Sequence, residues 1–517
     1  MTSKDAIFLH RAPYPSHNTT MATLTLIILF VATISSIFFL HFIKKNSSPW
    51  ILLRFLVNFY RMHDSQAEML EQNNGTILVK RSWFGGKDML LTSDPANVRH
   101  IMSTNFSNYP KGPEWKKQFD FFGDSVFTFD FEEWKHHRKV TRSYISHRSF
   151  QQFAGKIVRD CIEIELSSVL DHVSNQQIVV DLEGLLRRYI YYFACCISTG
   201  YKPKFIGLAF SEDKFLKATD DACDAITARY LAPESIWKLQ RWFGLGKEKR
   251  LSEARKTIDK IIDDYMSMKQ EEMSKGEIRN DEEDFSALKG YTTGNEIFEQ
   301  ADHKVIKDSI MSLIFAIEDT TSSSLSRFFW IFAKNPKVET KIRQELEKIR
   351  PVTEARKSSS FFSEEEVSKM VYLQAALLET LRLFPPASMM SKTAVEPDTL
   401  PSGHHISQNT MVVISAYAMG RMRTIWGQDC LEFKPERWIM EDGRIRHEPP
   451  HKFSAFGSGP RICPGKDVGL TLLKTFAATI IYNYHVQVVE DRVGAPKNNF
   501  MLHLDHGLMV RLNKRWT

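Results

Sequence analysis

An apolar run near the start of the chain, at residues 21–43, carries no formal charge. As an α-helix this run would measure about 34 Å, which is enough to cross a bilayer. We therefore predict one N-terminal transmembrane helix, preceded by an extension at residues 1–20. A cleaved signal peptide is the alternative, but the run is longer than a typical signal core and starts late, which favours a retained anchor. Lys44 and Lys45 follow at once, so the positive-inside rule predicts that the rest of the chain is cytosolic.

Short apolar and alternating runs predict strands in a few places. Thr76–Lys80 and Met89–Thr92 flank Gly85-Gly86, an arrangement typical of a hairpin. Met411–Ser415 is a third strand-like run, in an irregular region rich in proline and glycine that begins after Leu383. These segments predict small sheets.

Helical periodicity dominates the chain between Asp94 and Leu383. The longest amphipathic stretches are Arg250–Met273 and Asp308–Ala333, and a further helix is predicted at Val468–Tyr484 before a β-like C-terminal segment. Because no linker or internal repeat interrupts this pattern, we predict that residues 47–517 form one domain, mainly α with small β-sheets.

Composition narrows the class of protein. Hydrophobic residues make up 43% and charged residues 25% of the chain, which is typical of a globular protein and excludes a disordered or fibrous one. A net charge of +6 is slight for 517 residues, so no nucleic-acid partner is expected. The six cysteines show neither zinc-site spacing nor a disulfide framework, and most are expected to be buried apolar side chains. They are Cys161, Cys195, Cys196, Cys223, Cys430 and Cys463.

Cys463 differs from the other cysteines in its surroundings, Phe456-Gly-Ser-Gly459-Pro-Arg461-Ile-Cys463-Pro-Gly465. Each residue type suits a loop that presents a thiolate to a haem iron. A helix start after the cysteine would stabilise the thiolate, and Phe456 would shield the sulfur from water. Gly459 permits a tight turn and Gly465 a close approach of the backbone to the porphyrin. Arg461 offers paired donors to a propionate.

An incidental cysteine in a glycine loop is the alternative. At average residue usage, five matching positions are expected by chance in fewer than about one in ten thousand chains of this length. The segment resembles the F-x-x-G-x-R-x-C-x-G signature of the cytochrome P450 superfamily. The resemblance implies that superfamily's fold, with haem b (iron protoporphyrin IX) as cofactor and Cys463 as its axial metal ligand.

Other marks of the superfamily lie upstream in the expected order. Glu379-Thr-Leu-Arg382 matches its E-x-x-R helix, and Arg437 is the downstream arginine that would complete a structural brace of the haem core. Only this occurrence continues into Leu-Phe-Pro-Pro. Two other pairs have the same spacing, Glu347…Arg350 and Glu441…Arg444. Trp134 and Arg138 match W-x-x-x-R, whose side chains reach a haem propionate, and Lys392 is a further basic candidate.

The predicted central helix contains Ala316-Ile-Glu-Asp319-Thr320-Thr321, similar to the oxygen-activating pattern [A/G]-G-x-[D/E]-T-[T/S]. By this resemblance Asp319 and Thr320 are the catalytic residues, which steer protons to iron-bound dioxygen. Ile317 departs from the pattern, because the superfamily usually has glycine or alanine there. A branched side chain would narrow the oxygen groove, so oxidation without oxygen insertion stays open.

Longer stretches, such as Asn108–Gly112 and Phe433–Trp438, resemble the plant 86 clan of fatty-acid and alkane hydroxylases, closest to its 96 family. The resemblance implies a hydroxylase of a hydrophobic small molecule, a long-chain fatty acid or an alkane. Oxidative phenol coupling of a plant alkaloid is the alternative, and a haem-binding protein without activity is a third possibility. The substrate pocket expected by analogy comprises Phe119, Phe127, Phe129, Ile314, Ala316, Ile317, Thr321, Ala387, Met390, Phe500 and Met501.

The same resemblance implies membrane lipid as a partner, a single-pass location in the endoplasmic reticulum and NADPH-cytochrome P450 reductase as the electron donor. Lys135–Lys139, with Lys452, Lys466 and Lys474, would form a positive docking face for that reductase. Solvated surface charge explains the same residues equally well.

Overall fold

Helices make up most of the computed structural model, which describes residues 61–80, 88–203, 214–274, 285–292, 302–351, 361–489 and 499–516. The predicted extension at 1–20, the predicted anchor at 21–43 and the hairpin glycines lie outside these residues. Within the described ranges, no helix is long and apolar enough to cross a membrane. Residues Tyr60–Thr517 form one compact unit.

The helices of the first half of the chain are α1 (Met62–Gln72), α2 (Pro95–Arg99), α3 (Gly112–Gln118), α4 (Phe131–Ile145), α5 (Arg148–Asp160), α6 (Ser167–Asn175), α7 (Leu182–Thr199), α8 (Lys214–Leu231), α9 (Glu234–Phe243) and α10 (Gly246–Ser274). Those of the second half are α11 (Ala287–Thr292), α12 (His303–Ala333), α13 (Pro336–Ile349), α14 (Glu364–Ser368), α15 (Val371–Leu383), α16 (Ala416–Met419), α17 (Arg423–Trp426) and α18 (Lys466–Asn483). Short 3₁₀ and π-helical turns connect several of them.

The described strands form three small sheets. They are β1 (Thr76–Val79), β2 (Met89–Thr92), β3 (Val179–Asp181), β4 (Met389–Thr393), β5 (Asp398–Thr399), β6 (His405–Ile406), β7 (Met411–Ser415), β8 (Tyr484–Val488) and β9 (Met509–Lys514). The largest sheet has the order β1-β2-β7-β4, in which only the β2–β7 pair is parallel. The second has the order β3-β9-β8, and β5 pairs with β6. The prediction of a mainly α fold with small sheets is confirmed.

The central helix α12 organises the core. Its N-terminus is capped by the Asp302 carboxylate, which accepts from the Lys304 amide. The helix packs against α7, α10, α15 and α18. Near its C-terminal end, Phe328, Phe329 and Phe332 are fully buried in the largest apolar cluster. Because most of α12 is buried, its few acidic residues must find partners inside the protein.

Element boundaries differ little from the predicted ones. The α12 helix begins five residues before the predicted Asp308, and α18 ends at Asn483 because Tyr484 already pairs with Lys514 in the β8–β9 ladder. The prediction of a mainly helical stretch between Asp94 and Leu383 did not identify β3. That strand has three residues and pairs with β9, which lies more than 300 positions later, so no local pattern marks it.

Candidate active site

The Cys463 loop joins a 3₁₀ turn, Gly459–Arg461, to helix α18. The Cys463 amide donates to the Phe456 carbonyl at 2.7 Å, which closes the loop. Gly459 has a φ of +63°, and a Cβ there would overlap the Met102 carbonyl oxygen, so only glycine fits. Gly465 has an ordinary φ of −89°, and a Cβ would lie 4.0 Å from the cysteine sulfur. Neither the backbone conformation nor a contact with the described protein requires glycine at 465, so its predicted role beside the porphyrin stays a prediction.

All six cysteines lie in the described residues, and Cys463 is the only one that is exposed. Many protein atoms nevertheless surround it, and this desolvation raises the pKa of the Cys463 thiol. The Gly465 amide and the Arg138 guanidinium act in the opposite direction, because both stabilise a thiolate. The other five cysteines are buried, as expected for apolar packing.

Basic side chains from three elements gather beside this loop. The Arg461 guanidinium lies 4.3 Å from the Trp134 ring and donates to Asp130 Oδ1 at 2.6 Å. Arg138, one turn along α4 from Trp134, donates to the Ile462 carbonyl. Lys392 enters from β4, and its Nζ is buried without a hydrogen-bond partner in the described structure. The structure thus brings together the four residues predicted to hold propionates.

The cationic side chains of this cluster outnumber its one carboxylate in the described structure, Asp130. Burial, followed by the charge of Arg461, lowers the pKa of Lys392 to about 7. Burial also lowers the pKa of Arg461 to about 10, although Asp130 opposes the shift, and Arg461 Nε is buried without a partner. Lys111, which the sequence analysis missed, is half-buried in the same place and donates to the Phe127 carbonyl at 2.7 Å. The described residues at this site therefore suit an anionic ligand.

The Glu379 carboxylate is fully buried and is the centre of a polar cluster. Arg382 donates to both of its oxygens, at 2.7 and 2.8 Å, and Arg437 Nε donates at 3.4 Å. The Trp438 indole, which the sequence analysis missed, donates to the same carboxylate at 2.9 Å. Arg382 and Arg437 also donate to carbonyl groups of the segment 420–432, so the cluster fixes the irregular region that leads to the Cys463 loop.

The two other E-x-x-R pairs have different partners. Arg350 binds Glu366 at 2.8 Å, whereas Glu347 binds Arg515 at 2.6 Å. Arg444 binds Asp442 on the surface. Neither alternative pair forms the ion pair that its spacing suggests.

Asp319 and Thr320 do not contact each other through a hydrogen bond in the described structure. The Thr320 hydroxyl donates to the Ala316 carbonyl at 2.7 Å. Asp319 Oδ1 instead lies 2.7 Å from His503 Nε2, and Asp319 Oδ2 is buried without a partner. His503 was missed by the sequence analysis. The available signal was indirect: two adjacent acids, Glu318 and Asp319, on a buried helix require cationic partners.

Seven of the predicted pocket residues meet in one apolar cluster. Phe119 and Phe500 have ring centroids 5.6 Å apart, and an isolated bridge joins Ala387 to Met501. Ile317 packs against this cluster and also against the main core, so its side chain fills space between the two. The seven are Phe119, Phe127, Ile314, Ile317, Ala387, Phe500 and Met501.

The other four predicted pocket residues are not among the hydrophobic members of this cluster. The Phe129 ring packs against His137 at 4.6 Å and its carbonyl accepts from Arg461, so it belongs to the basic cluster. Met390 packs in the cluster around the largest sheet because β4 carries it there. Ala316 is half-buried and contributes its carbonyl to Thr320, and Thr321 is a buried residue of α12.

Comparison with known proteins decides the family. The family model described as Cytochrome P450 matches residues 46–511. The chain belongs to the cytochrome P450 family. This P450 is 36% identical to "Alkane hydroxylase MAH1" of Arabidopsis thaliana over 96% of this chain and 100% of the relative. It is also 36% identical to "Noroxomaritidine synthase 2" of Narcissus aff. pseudonarcissus MK-2014, over 90% of each chain. "Cytochrome P450 86B1" of Arabidopsis thaliana is 36% identical over 87% of this chain and 81% of the relative.

These relatives are consistent with the predicted plant 86 clan. As a cytochrome P450 the chain is an oxidoreductase of the monooxygenase type, which uses haem with a cysteine thiolate ligand, a redox partner and hydrophobic substrates. When bound, the haem supplies oxygen activation at its iron, which the axial thiolate promotes. The residues present fit this group, because the unpartnered Lys392 Nζ and Arg461 Nε can bind its propionates and Cys463 is the accessible thiol.

Proposed function

We propose that this P450 hydroxylates a long-chain alkane or fatty acid, with Cys463 as the iron ligand. The observation that carries the proposal is the apolar cluster around Phe119, Ile314 and Phe500, whose nonpolar side chains suit a hydrophobic substrate. The match to an alkane hydroxylase over that relative's full length supports it. Trp134, Arg138, Lys392 and Arg461 hold the haem propionates, and Asp319 and Thr320 hold and move protons beside the pocket.

Oxidative phenol coupling is the second candidate. Two observations favour it: the equal identity to a noroxomaritidine synthase, and the Ile317 side chain that occupies space between the two apolar clusters. In this reading Ile317 restricts access of oxygen and water while leaving electron transfer intact.

Incubation with labelled dioxygen separates the two candidates. We expect membranes with the full-length chain, reductase and NADPH to convert an n-alkane or a long-chain fatty acid to an alcohol carrying one atom of ¹⁸O. A phenolic amine, tested in parallel, should be consumed little. Conversion of the phenolic amine to an unlabelled coupled product, with the alkane and fatty acid untouched, would establish the second candidate instead. Membranes without the P450 provide the blank.

The reductase docks on the face formed by α4. A groove of about 580 Å³ runs along this helix, lined by Trp134 and Pro460 together with basic side chains. The basic residues lining it are Lys135, Arg138, Lys139 and Arg142. Lys474, included in this face by the sequence analysis, does not belong to it: it is buried and its Nζ donates to Gln374.

Charge reversal in the α4 groove tests this docking site. We expect Lys139→Glu to raise the KM for reductase about threefold at low salt, because a charge at an interface rim mainly affects encounter. The kcat at saturating reductase should be unchanged. Lys337→Glu, an equally exposed change on α13, is the control. Equal KM values for the two variants across a salt series would rule out the α4 groove as the docking site.

Helix α9 presents apolar side chains suited to a lipid surface. Trp242 is 78% exposed, and Leu239, Phe243 and Leu245, which lies just after the helix, are also exposed. Lys238 and Arg241 flank them, and aromatic and basic residues together favour the interface of a membrane. With the anchor at residues 21–43, this surface would hold the domain, residues 47–517, against the cytosolic face of the endoplasmic reticulum.

A further inference from the structure

His503 lies between two buried carboxylates from different helices. Its Nδ1 is 3.0 Å from Glu183 Oε1 of α7, and its Nε2 is 2.7 Å from Asp319 Oδ1 of α12. The His503 side chain is 7% exposed and that of Asp319 is 1% exposed. Since a carboxylate oxygen faces each ring nitrogen, both nitrogens donate and the ring is an imidazolium. The backbone is also fixed, because Arg327 donates to the His503 carbonyl.

A chain of charged groups connects this triad to the surface. Glu318, next to Asp319, accepts from Arg187 Nε at 2.9 Å. Arg187 binds Asp220 through both terminal nitrogens, each at 3.0 Å, and the Asp220 side chain is 37% exposed. One oxygen each of Glu183, Glu318 and Asp319 is buried without a hydrogen-bond partner in the described structure. Acidic oxygens left free in this way can accept and release protons.

We propose that His503 is the positioning residue for Asp319: its Nε2 holds Oδ1, so that Oδ2 remains the atom that exchanges protons with the pocket. The inference rests on the proposed role of Asp319 in proton transfer. Glu183 acts one step further out, by keeping the imidazole doubly protonated. Asp319 takes up each proton on Oδ2 and returns to its ionised, His503-bound state after releasing it.

Electrostatics agree with this geometry. Burial alone would lower the pKa of His503, but the charge of Asp319 and the hydrogen bonds to Asp319 and Glu183 outweigh it and raise the pKa to about 10. Burial raises the pKa of Glu318 to about 7, against the effect of Arg187. The charged groups that face His503 are Glu183 and Arg187 from α7 and Glu318, Asp319 and Arg327 from α12.

These pKa shifts predict how stability depends on pH. A group whose pKa is raised in the folded state stabilises the fold fully below its unfolded pKa and loses this contribution as the pH rises through its folded pKa. For His503 the loss falls between pH 6.5 and 10, and for Glu318 between pH 4.5 and 7. The unfolding midpoint should therefore fall across the upper window in the native protein.

His503→Gln tests the proposal, because a neutral amide holds Asp319 Oδ1 less strongly than the charged imidazolium does. We expect normal haem content and about a tenfold lower ratio of product formed to NADPH consumed, a part of the roughly 100-fold that a placed general acid contributes. The solvent deuterium isotope effect should increase. The fall of the unfolding midpoint between pH 6.5 and 10 should flatten, which is a readout independent of activity. His506→Gln, in the same segment but 72% exposed, is the control.

Glu183→Gln supplies an arm that leaves the Asp319–His503 contact in place. We expect the ratio of product formed to NADPH consumed to fall at a lower pH within the window between 6.5 and 10, since His503 then loses its proton more readily. A native ratio of product to NADPH consumed, a native isotope effect and a native pH dependence of the unfolding midpoint in both variants would overturn the inference.

Asp319→Asn distinguishes the role of Asp319 in proton transfer from the positioning role of His503. Unchanged coupling in that variant refutes the role of Asp319 itself, whereas loss there with native behaviour in His503→Gln refutes only the positioning role.

Discussion

Cys463→Ala is expected to abolish the thiolate-haem absorption band of reduced, carbon monoxide-treated membranes and with it all substrate oxidation. Cys463 is the only exposed residue among the six cysteines, and its loop is closed by the Cys463 amide, which alanine retains. The variant should therefore fold while lacking the axial ligand. Difference spectroscopy, with haem and protein measured on the same sample, checks this.

Cys223→Ala is the matched control for that experiment. Cys223 is buried in the apolar cluster beside the pocket, where its thiol packs as a small apolar group. It should keep the absorption band at native intensity. Retention of the band in Cys463→Ala, or its loss in Cys223→Ala, would contradict the assignment of the ligand.

Glu379→Gln is expected to lower the free energy of unfolding by about 3–5 kcal/mol, because it leaves buried cations without their counter-charge. The Arg382 and Glu379 side chains are both fully buried, and Arg437 and Trp438 share the same carboxylate. An amide can accept on one side only. Denaturant unfolding of the purified protein, together with the haem-to-protein ratio, measures the effect, and we expect haem content to fall with stability.

Glu347→Gln is a stringent control because Glu347 has the same E-x-x-R spacing. Its carboxylate pairs with Arg515 and is 34% exposed, so the loss should stay below about 1 kcal/mol after screening by solvent. A comparable loss of stability and haem in both variants would show that the Glu379 cluster has no special role.

The sequence by itself determined the features of this protein that depend on residues close together in the chain. The Cys463 loop closes within eight residues through one backbone hydrogen bond, and Gly459 requires a positive φ, so residue type and spacing carry the information. Glu379 and Arg382 lie one helical turn apart, which already allows contact. The spacing of apolar residues predicted α10, α12 and α18, because a helix buries one face when apolar residues recur at the helical period within the run.

Distant contacts were decided only by the tertiary structure. Asp319 carries the same local pattern whether it faces Thr320 or His503, and the partner that it binds lies 184 positions away. Lys111 and Lys392 come from α3's N-terminal boundary and β4, and only the sheet and loop packing places both beside Arg461. Phe129 and Met390 are apolar like the pocket residues, but the path of the backbone places Phe129 beside Arg461 and Met390 against the largest sheet. Hydrophobicity determined that these side chains would be buried, whereas the fold determined which neighbours they meet.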